Sequence, residues 1–195
     1  GFAVMGLGRL CLEQILPAFA TCGMAVPVAL VSGSPDKARA VAAQYGIRTD
    51  NLYGYDDWQH IADNEEIDAV YVVTPNGRHH DDVLAAAGAG KHVLCEKPMA
   101  NTADEAREMV DACDRAGVKL MIAYRCQYEP YHRRAIEMVR SGRYGTPRIL
   151  EACNTQAQGT GHPWRLRGAQ AGGRAVPAHG APRLLWSRAT SGAAP

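Results

Sequence analysis

The stretch Phe2-Ala3-Val4-Met5-Gly6-Leu7-Gly8-Arg9-Leu10-Cys11 decides the fold. A short apolar run ends in a Gly-x-Gly turn, and a helix-like pattern, Leu10 to Ala20, comes directly after it. A strand that passes through such a turn into a helix lets the backbone approach a pyrophosphate. The helix start then offers free N–H groups and the positive end of its dipole. The third small position is Cys11, not Gly or Ala, and it still permits close packing of helix on strand. A lone Gly-x-Gly is a common tight turn, so its meaning depends on the chain around it.

The rest of the chain alternates regularly. Residues 26–33 (VPVALVSG) read as a second strand, and residues 34–46 as a helix with Ser34 as N-cap, Pro35 at its first position and Gly46 past its end. Residues 55–66 predict a short helix and 67–75 (IDAVYVVTP) a third strand. Residues 78–90 predict a helix, 91–98 (KHVLCEKP) a fourth strand, 102–117 a helix and 118–125 (VKLMIAYR) a fifth strand. Thr102 and Glu105 have the spacing of a capping box. The strands are short, apolar on both faces and rich in β-branched residues, which predicts a parallel sheet covered on both sides by crossover helices. The fold class is therefore α/β, a doubly wound parallel sheet.

Bulk properties narrow the function. The chain has 195 residues, 47% of them hydrophobic, enough for one good core and part of a second domain. A formal net charge of +1 gives no electrostatic case for nucleic acid or a membrane surface as partner. No apolar run approaches the roughly 20 residues that span a bilayer. The first residues already read as a strand, with no initiator Met, so a longer parent chain is expected. Its six cysteines are scattered singly, without CxxC or zinc spacing, and each is expected to be a buried, reduced thiol. No metal is called for. Reduced thiols favour a cytoplasmic location, with a periplasmic one as the alternative for the parent.

The end of the second strand bears on which dinucleotide is held. An NAD site usually presents a carboxylate there for the ribose 2′-OH. Here the chain reads Val31-Ser32-Gly33-Ser34-Pro35-Asp36-Lys37. Hydroxyls at 32 and 34 with the Lys37 cation suit a 2′-phosphate, so NADP is the expected cofactor. Asp36, which could reach a hydroxyl, keeps NAD as the alternative.

The fourth strand ends unusually, on Glu96-Lys97-Pro98. Ligands of an open parallel sheet sit beyond the carboxyl ends of its strands, so Gly6, Ser32, Pro75-Asn76 and Glu96-Lys97-Pro98 should share one edge. Pro98 keeps Lys97 out of helical conformation and ends the ladder. Its peptide bond is a candidate for the cis form. A hydride leaves an alcohol carbon only when the hydroxyl proton leaves too, which gives an ammonium at this place a purpose. A plain Glu96–Lys97 surface ion pair is disfavoured, because neighbouring strand side chains point to opposite faces.

Residues 87–100 (AGAGKHVLCEKPMA), 70–87 (VYVVTPNGRHHDDVLAAA) and 119–150 (KLMIAYRCQYEPYHRRAIEMVRSGRYGTPRIL) together resemble the Gfo/Idh/MocA oxidoreductases, the branch with glucose–fructose oxidoreductase and the pyranose dehydrogenases above all. The resemblance runs from about Phe2 to Arg167. It implies an NAD(P)-binding Rossmann domain over 1–124. The start of an α/β substrate and oligomerisation domain, built on a large open sheet, would occupy 125–172. It also implies roles at matching positions. Gly6 and Gly8 would lie at the pyrophosphate, and Ser32, Gly33 and Lys37 at the adenosine end, with Arg9, Leu10 and Tyr55 also among the cofactor-binding residues. Pro75, Asn76 and His79 would line the nicotinamide side, with Glu96 and the catalytic Lys97 at the centre. Arg125, Trp164 and Arg165 would close over cofactor or sugar. For His79 a second reading stands, a capping or surface histidine at a helix start. The implied reaction moves hydride between C1 of a pyranose and the nicotinamide, with a small-molecule sugar as partner and a homo-oligomer as the intact form. A non-catalytic nucleotide-binding regulator and an inactive structural fragment are the alternatives, and an intact Glu96-Lys97-Pro98 argues for an enzyme lineage.

Past the resemblance, the chain departs from the family pattern after about residue 172. The family's aspartate slot falls on Ala178 and its tyrosine slot on Pro182, and residues 174–195 hold three arginines, no acid, and Ala, Gly and Pro throughout. Such a break looks like translation in the wrong frame or a truncation, so an irregular tail over 173–195 is expected. His179 has no neighbours that would place it as a substitute base. The 195 residues are accordingly expected to bind dinucleotide weakly and to oxidise sugars slowly or not at all.

Overall fold

The computed structural model describes residues 1–151. Its centre is a six-stranded parallel sheet in the order β3-β2-β1-β4-β5-β6. The strands are β1 (Phe2–Met5), β2 (Pro27–Val31), β3 (Leu52–Tyr53), β4 (Ala69–Val72), β5 (His92–Cys95) and β6 (Leu120–Ile122). The helices are α1 (Leu16–Phe19), which continues a π-helical turn at Cys11–Ile15, then α2 (Pro35–Tyr45), α3 (Trp58–Asp63), α4 (His79–Gly88), α5 (Ala103–Ala116) and α6 (Pro130–Arg140). The order reverses between β1 and β4, as in the doubly wound dinucleotide-binding folds.

Both faces of the sheet are buried, and strand parity divides them. Ala3, Met5, Val31, Val70, Val72, Val93 and Cys95 meet Val83, Ala86, Ala87, Met109 and Cys113 from α4 and α5 in one core. Val4 and Leu30 point the other way, onto Cys11, Leu16, Ala38, Val41 and Ala42. Neighbouring residues that are both buried require cover on both sides, which the alternating helices supply.

Six strands stand where five were expected. The additional one, β3, is two residues long and carries no periodicity. A polar cluster holds it: buried Asn51 donates to the Val28 carbonyl (3.0 Å) and to Glu66 (2.7 Å), and Asn64 donates to Asn51 (2.9 Å) and to the Tyr53 hydroxyl (2.9 Å).

Two helix ends are built differently from their sequence signatures. Ser34 occupies the N-cap position of α2, but its hydroxyl caps nothing. Instead its N–H donates to Ser32 Oγ at 3.1 Å. Thr102 Oγ1 does accept from Glu105 N–H (3.1 Å), while the Glu105 carboxylate reaches back to Asn101 N–H (2.9 Å), one residue further than in a closed capping box.

The cysteines divide as well. Cys11, Cys95 and Cys113 are buried, but Cys22 and Cys126 are exposed, contrary to expectation, and Cys153 lies outside the described residues. Burial pushes the Cys11 and Cys95 thiols up to about 12, so neither carries an appreciable thiolate near neutrality. A maleimide applied to the folded chain at neutral pH should label Cys22 and Cys126 in peptide maps and spare Cys11, Cys95 and Cys113 until denaturant is added. Rapid native labelling of Cys11 would show that its helix is not packed as described.

Beyond β6 come a 3-10 turn (Arg125–Tyr128) and α6, whose side chains are almost all exposed. Residues 147–151 have no regular structure. Trp164, Arg165 and the segment 173–195 lie outside the described residues. Among the described residues no helix is long and apolar enough to cross a membrane.

Candidate dinucleotide site

Parallel register aligns the strand ends. Met5 pairs with Val31 and Val72, Val31 with Tyr53, Val72 with Cys95, and Cys95 with Ile122. Gly6, Ser32, Gly54, Val73, Glu96 and Ala123 therefore stand in one row along the carboxyl edge of the sheet.

At the point where the strand order reverses, Gly6 has φ +96°, and a Cβ there would stand 2.9 Å from the Val73 carbonyl carbon and oxygen. Only glycine fits without strain. Gly8 differs: a Cβ added to it would meet nothing within 4 Å, so its Cα faces open space at the head of the first helix. Its carbonyl accepts from Leu12 N–H at 3.0 Å. Arg9 is exposed and ion-paired with Glu13 (2.8 Å), Leu10 is exposed, and Cys11 is buried against the sheet, the packing role read for it.

After β2, Ser32 is buried and its hydroxyl accepts from Ser34 N–H. Lys37 is exposed. Asp36 is drawn along its own helix into an ion pair with Arg39. A Cβ on Gly33 would lie 3.1 Å from the Tyr55 ring, so this glycine lets the ring settle over the turn.

After β4 lies an assembly that no sequence motif announces. Buried Thr74 donates its hydroxyl to buried Asp82 (2.6 Å), and Arg78 donates to the other oxygen of the same carboxylate (2.9 Å). The Arg78 guanidinium lies 4.5 Å over the Tyr55 ring. The hydrogen bond to Asp82 raises the Arg78 pKa, so the cation is permanent. An Arg and an Asp four residues apart at a helix start was the available signal, but that spacing is common on any helix surface.

His79 has its ring in the interior, only 1% exposed. Nδ1 stands 2.7 Å from the Pro98 carbonyl and Nε2 2.9 Å from the Thr74 carbonyl. Both ring nitrogens are thus engaged by backbone, which corrects the capping or surface reading. The side chain ties the turn after β4 to the turn after β5. Pro75 caps the 3-10 turn Asn76–Arg78, and Asn76 is partly exposed beside it.

After β5, Glu96 folds back on its own strand end. Its Oε1 accepts from the Tyr71 hydroxyl (2.9 Å) and its Oε2 from Lys97 N–H (3.1 Å). Burial and the Glu96 charge push the Tyr71 phenol well above its usual pKa, so it remains a neutral donor. Lys97 is exposed, and among the described residues no ion pair joins its ammonium to Glu96. The Lys97–Pro98 peptide is cis. Arg125 is exposed on the 3-10 turn after β6.

A row of this kind, with a glycine turn at the strand reversal and a lysine two strands away, agrees with the comparisons. The family model for oxidoreductases with an NAD-binding Rossmann fold, Gfo/Idh/MocA, matches residues 1–124. The chain is 37% identical over 179 residues to the D-xylose 1-dehydrogenase [NADP(+)] of Haloarcula marismortui, covering 90% of this chain and 49% of that protein. It is 34% identical over 178 residues to the 1,5-anhydro-D-fructose reductase of Ensifer adhaerens, covering 90% and 51%. Among solved structures, the aldose-aldose oxidoreductase from Caulobacter crescentus, complexed with glycerol, superposes with a TM-score of 0.71 at 46% identity, over 73% of this chain and 42% of that one. A 3-ketoreductase from Actinomadura kijaniata in complex with NADP gives 0.65 at 27% identity, over 74% and 44%. The chain spans about half the length of the curated relatives it matches. On the family model and these identities, the chain belongs to the Gfo/Idh/MocA oxidoreductases.

Proposed function

We propose that this chain carries the NADP-binding half of a sugar oxidoreductase. The observation that carries the reading is the paired behaviour of Gly6 and Gly8. One admits the close passage of the backbone after β4, and the other leaves open space at a helix start. That is what a backbone must do to receive a pyrophosphate. Gly6, Gly8, Arg9 and Leu10 would hold that group. Ser32, Gly33, Lys37 and Tyr55 would hold the adenosine end. Pro75 and Asn76 would stand on the nicotinamide side, with His79 joining two turns from beneath. The nicotinamide, when bound, accepts or returns a hydride.

The choice of NADP rests on charge. Asp36 is held by Arg39, and Lys37 is the exposed cation beside the Ser32–Ser34 turn. No carboxylate stands directly at the end of β2 to repel a 2′-phosphate. The names of the Haloarcula relative and of the Actinomadura complex, both of which include NADP, support the same choice. A sugar substrate, with hydride moving at C1 of a pyranose, is supported by the dehydrogenase and aldose names among the relatives. Lys97 would donate to the sugar oxygen at the reacting carbon. Glu96, fixed by Tyr71 and by the Lys97 N–H, would keep the turn that presents it. Arg125, Trp164 and Arg165 would close the site.

Fluorescence titration tests the cofactor assignment. NADP should bind with the lower dissociation constant, and Lys37→Glu should weaken NADP by about 1–3 kcal/mol, the worth of a lost charge-assisted bond, while leaving NAD nearly unchanged. A lower dissociation constant for NAD in the native chain would overturn the assignment.

A further inference from the structure

The assembly after β4 has one open surface. Arg78 spends its Nε and one terminal nitrogen on Asp82, at 3.4 and 2.9 Å. One face of its guanidinium lies on Tyr55. Its side chain is nevertheless 47% exposed, while that of Asp82 is 3% exposed. The guanidinium is therefore held at its edge by Asp82 and on one face by Tyr55, while nearly half of the side chain is open to solvent. Tyr55 in turn rests against Gly33, so the stack stands over the turn after β2, on the half of the edge that takes the adenosine of a dinucleotide.

Charge decides what such a group can take. A paired guanidinium presents little net positive potential, because the Asp82 carboxylate is in direct contact with it, so it is a poor centre for a phosphate. Its planar face remains a good platform for an aromatic base, since guanidinium planes stack on π-systems and immobilised ones lose little entropy in doing so. We infer that Arg78, braced by Asp82 and Tyr55, is the stacking platform for the cofactor's adenine ring. This rests on the dinucleotide reading above. It adds a binding residue on the first turn after β4 and gives the buried Thr74–Asp82 pair a purpose, which is to hold that platform still.

The experiment compares NADP, NAD and AMP, which share adenine but differ in the 2′-phosphate and the nicotinamide half. Dissociation constants are measured by fluorescence for the native chain, Arg78→Lys and Tyr55→Leu, with a thermal melt of each. Arg78→Lys keeps a cation for Asp82 and loses the plane. It should weaken all three ligands by the same factor, roughly tenfold, the size of one base-stacking contact. Tyr55→Leu leaves the ion pair intact and removes the brace, so it should act in the same direction with a smaller factor, and it carries the test if Arg78→Lys fails to fold. Loss confined to NADP would make Arg78 a phosphate contact and overturn the inference, as would unchanged constants for both variants. Failure of the native chain to bind any of the three would instead remove the dinucleotide reading, and the platform with it.

Discussion

Replacing Lys97 by methionine should lower the rate of hydride transfer between an aldose and NADP by about 10²–10⁴, the usual worth of positioned proton and charge assistance at a reacting oxygen. The dissociation constant for NADP should move by no more than about twofold, since an exposed charge contributes little to binding by itself. Lys97 comes just after β5, and its main-chain N–H is fixed by Glu96. Tyr71 holds that carboxylate from β4. The substitution therefore removes the ammonium alone and leaves the turn standing. Positions 178 and 182, where the family resemblance implies an aspartate and a tyrosine, are Ala and Pro, so the native rate is itself expected to be low. The comparison should be made under single-turnover conditions by nicotinamide absorbance. Equal rates for the native and Lys97→Met chains would remove Lys97 from the reaction.

Gly6→Ala and Gly8→Ala should separate stability from binding. At Gly6 the new methyl would lie 2.9 Å from the Val73 backbone at a φ of +96°, so strain and clash act together. A cost of about 2–5 kcal/mol is expected from the two terms. For a chain of this size it corresponds to a fall in melting temperature of roughly 5–15 °C. At Gly8 the methyl meets nothing within 4 Å, so the melting temperature should hardly change. Yet that methyl would fill the space proposed for the pyrophosphate, and NADP binding should fall by at least about tenfold, as when backbone approach to an anion is blocked. Calorimetry and fluorescence titration read the two effects. A Gly8→Ala chain that binds NADP as tightly as the native one would place the pyrophosphate elsewhere.

Much of the frame is legible in the chain itself. Five of the six strands announce themselves as apolar runs that end in glycine, proline or polar punctuation, and their two-sided hydrophobicity requires helices on both faces. Gly46 and Gly117 mark helix ends because their left-handed conformations, φ +68° in both, suit glycine. The edge shared by Gly6, Ser32, Pro75 and Lys97 results from parallel strands of similar length.

Other features have no local signature, because they are made by residues that meet only when the sheet has formed. β3 is too short to show a period and exists because Asn51, Asn64 and Glu66 converge on it. Cys22 and Cys126 are as apolar in type as Cys11, yet both are exposed. His79 could have stood at the surface of a helix start, and its burial is decided by the carbonyls of Thr74 and Pro98, the latter 19 residues away in sequence. Arg78 and Asp82 read as an ordinary helical pair. Only the meeting of that pair with Tyr55, which arrives from the turn after β3, makes a fixed plane of the guanidinium. Hydrophobic periodicity and backbone punctuation are properties of neighbours in the chain, so they specify strands, helices and their shared edge. Polar partnerships depend on distances across the fold, and these chose which side chains stand at that edge and which are spent holding it together.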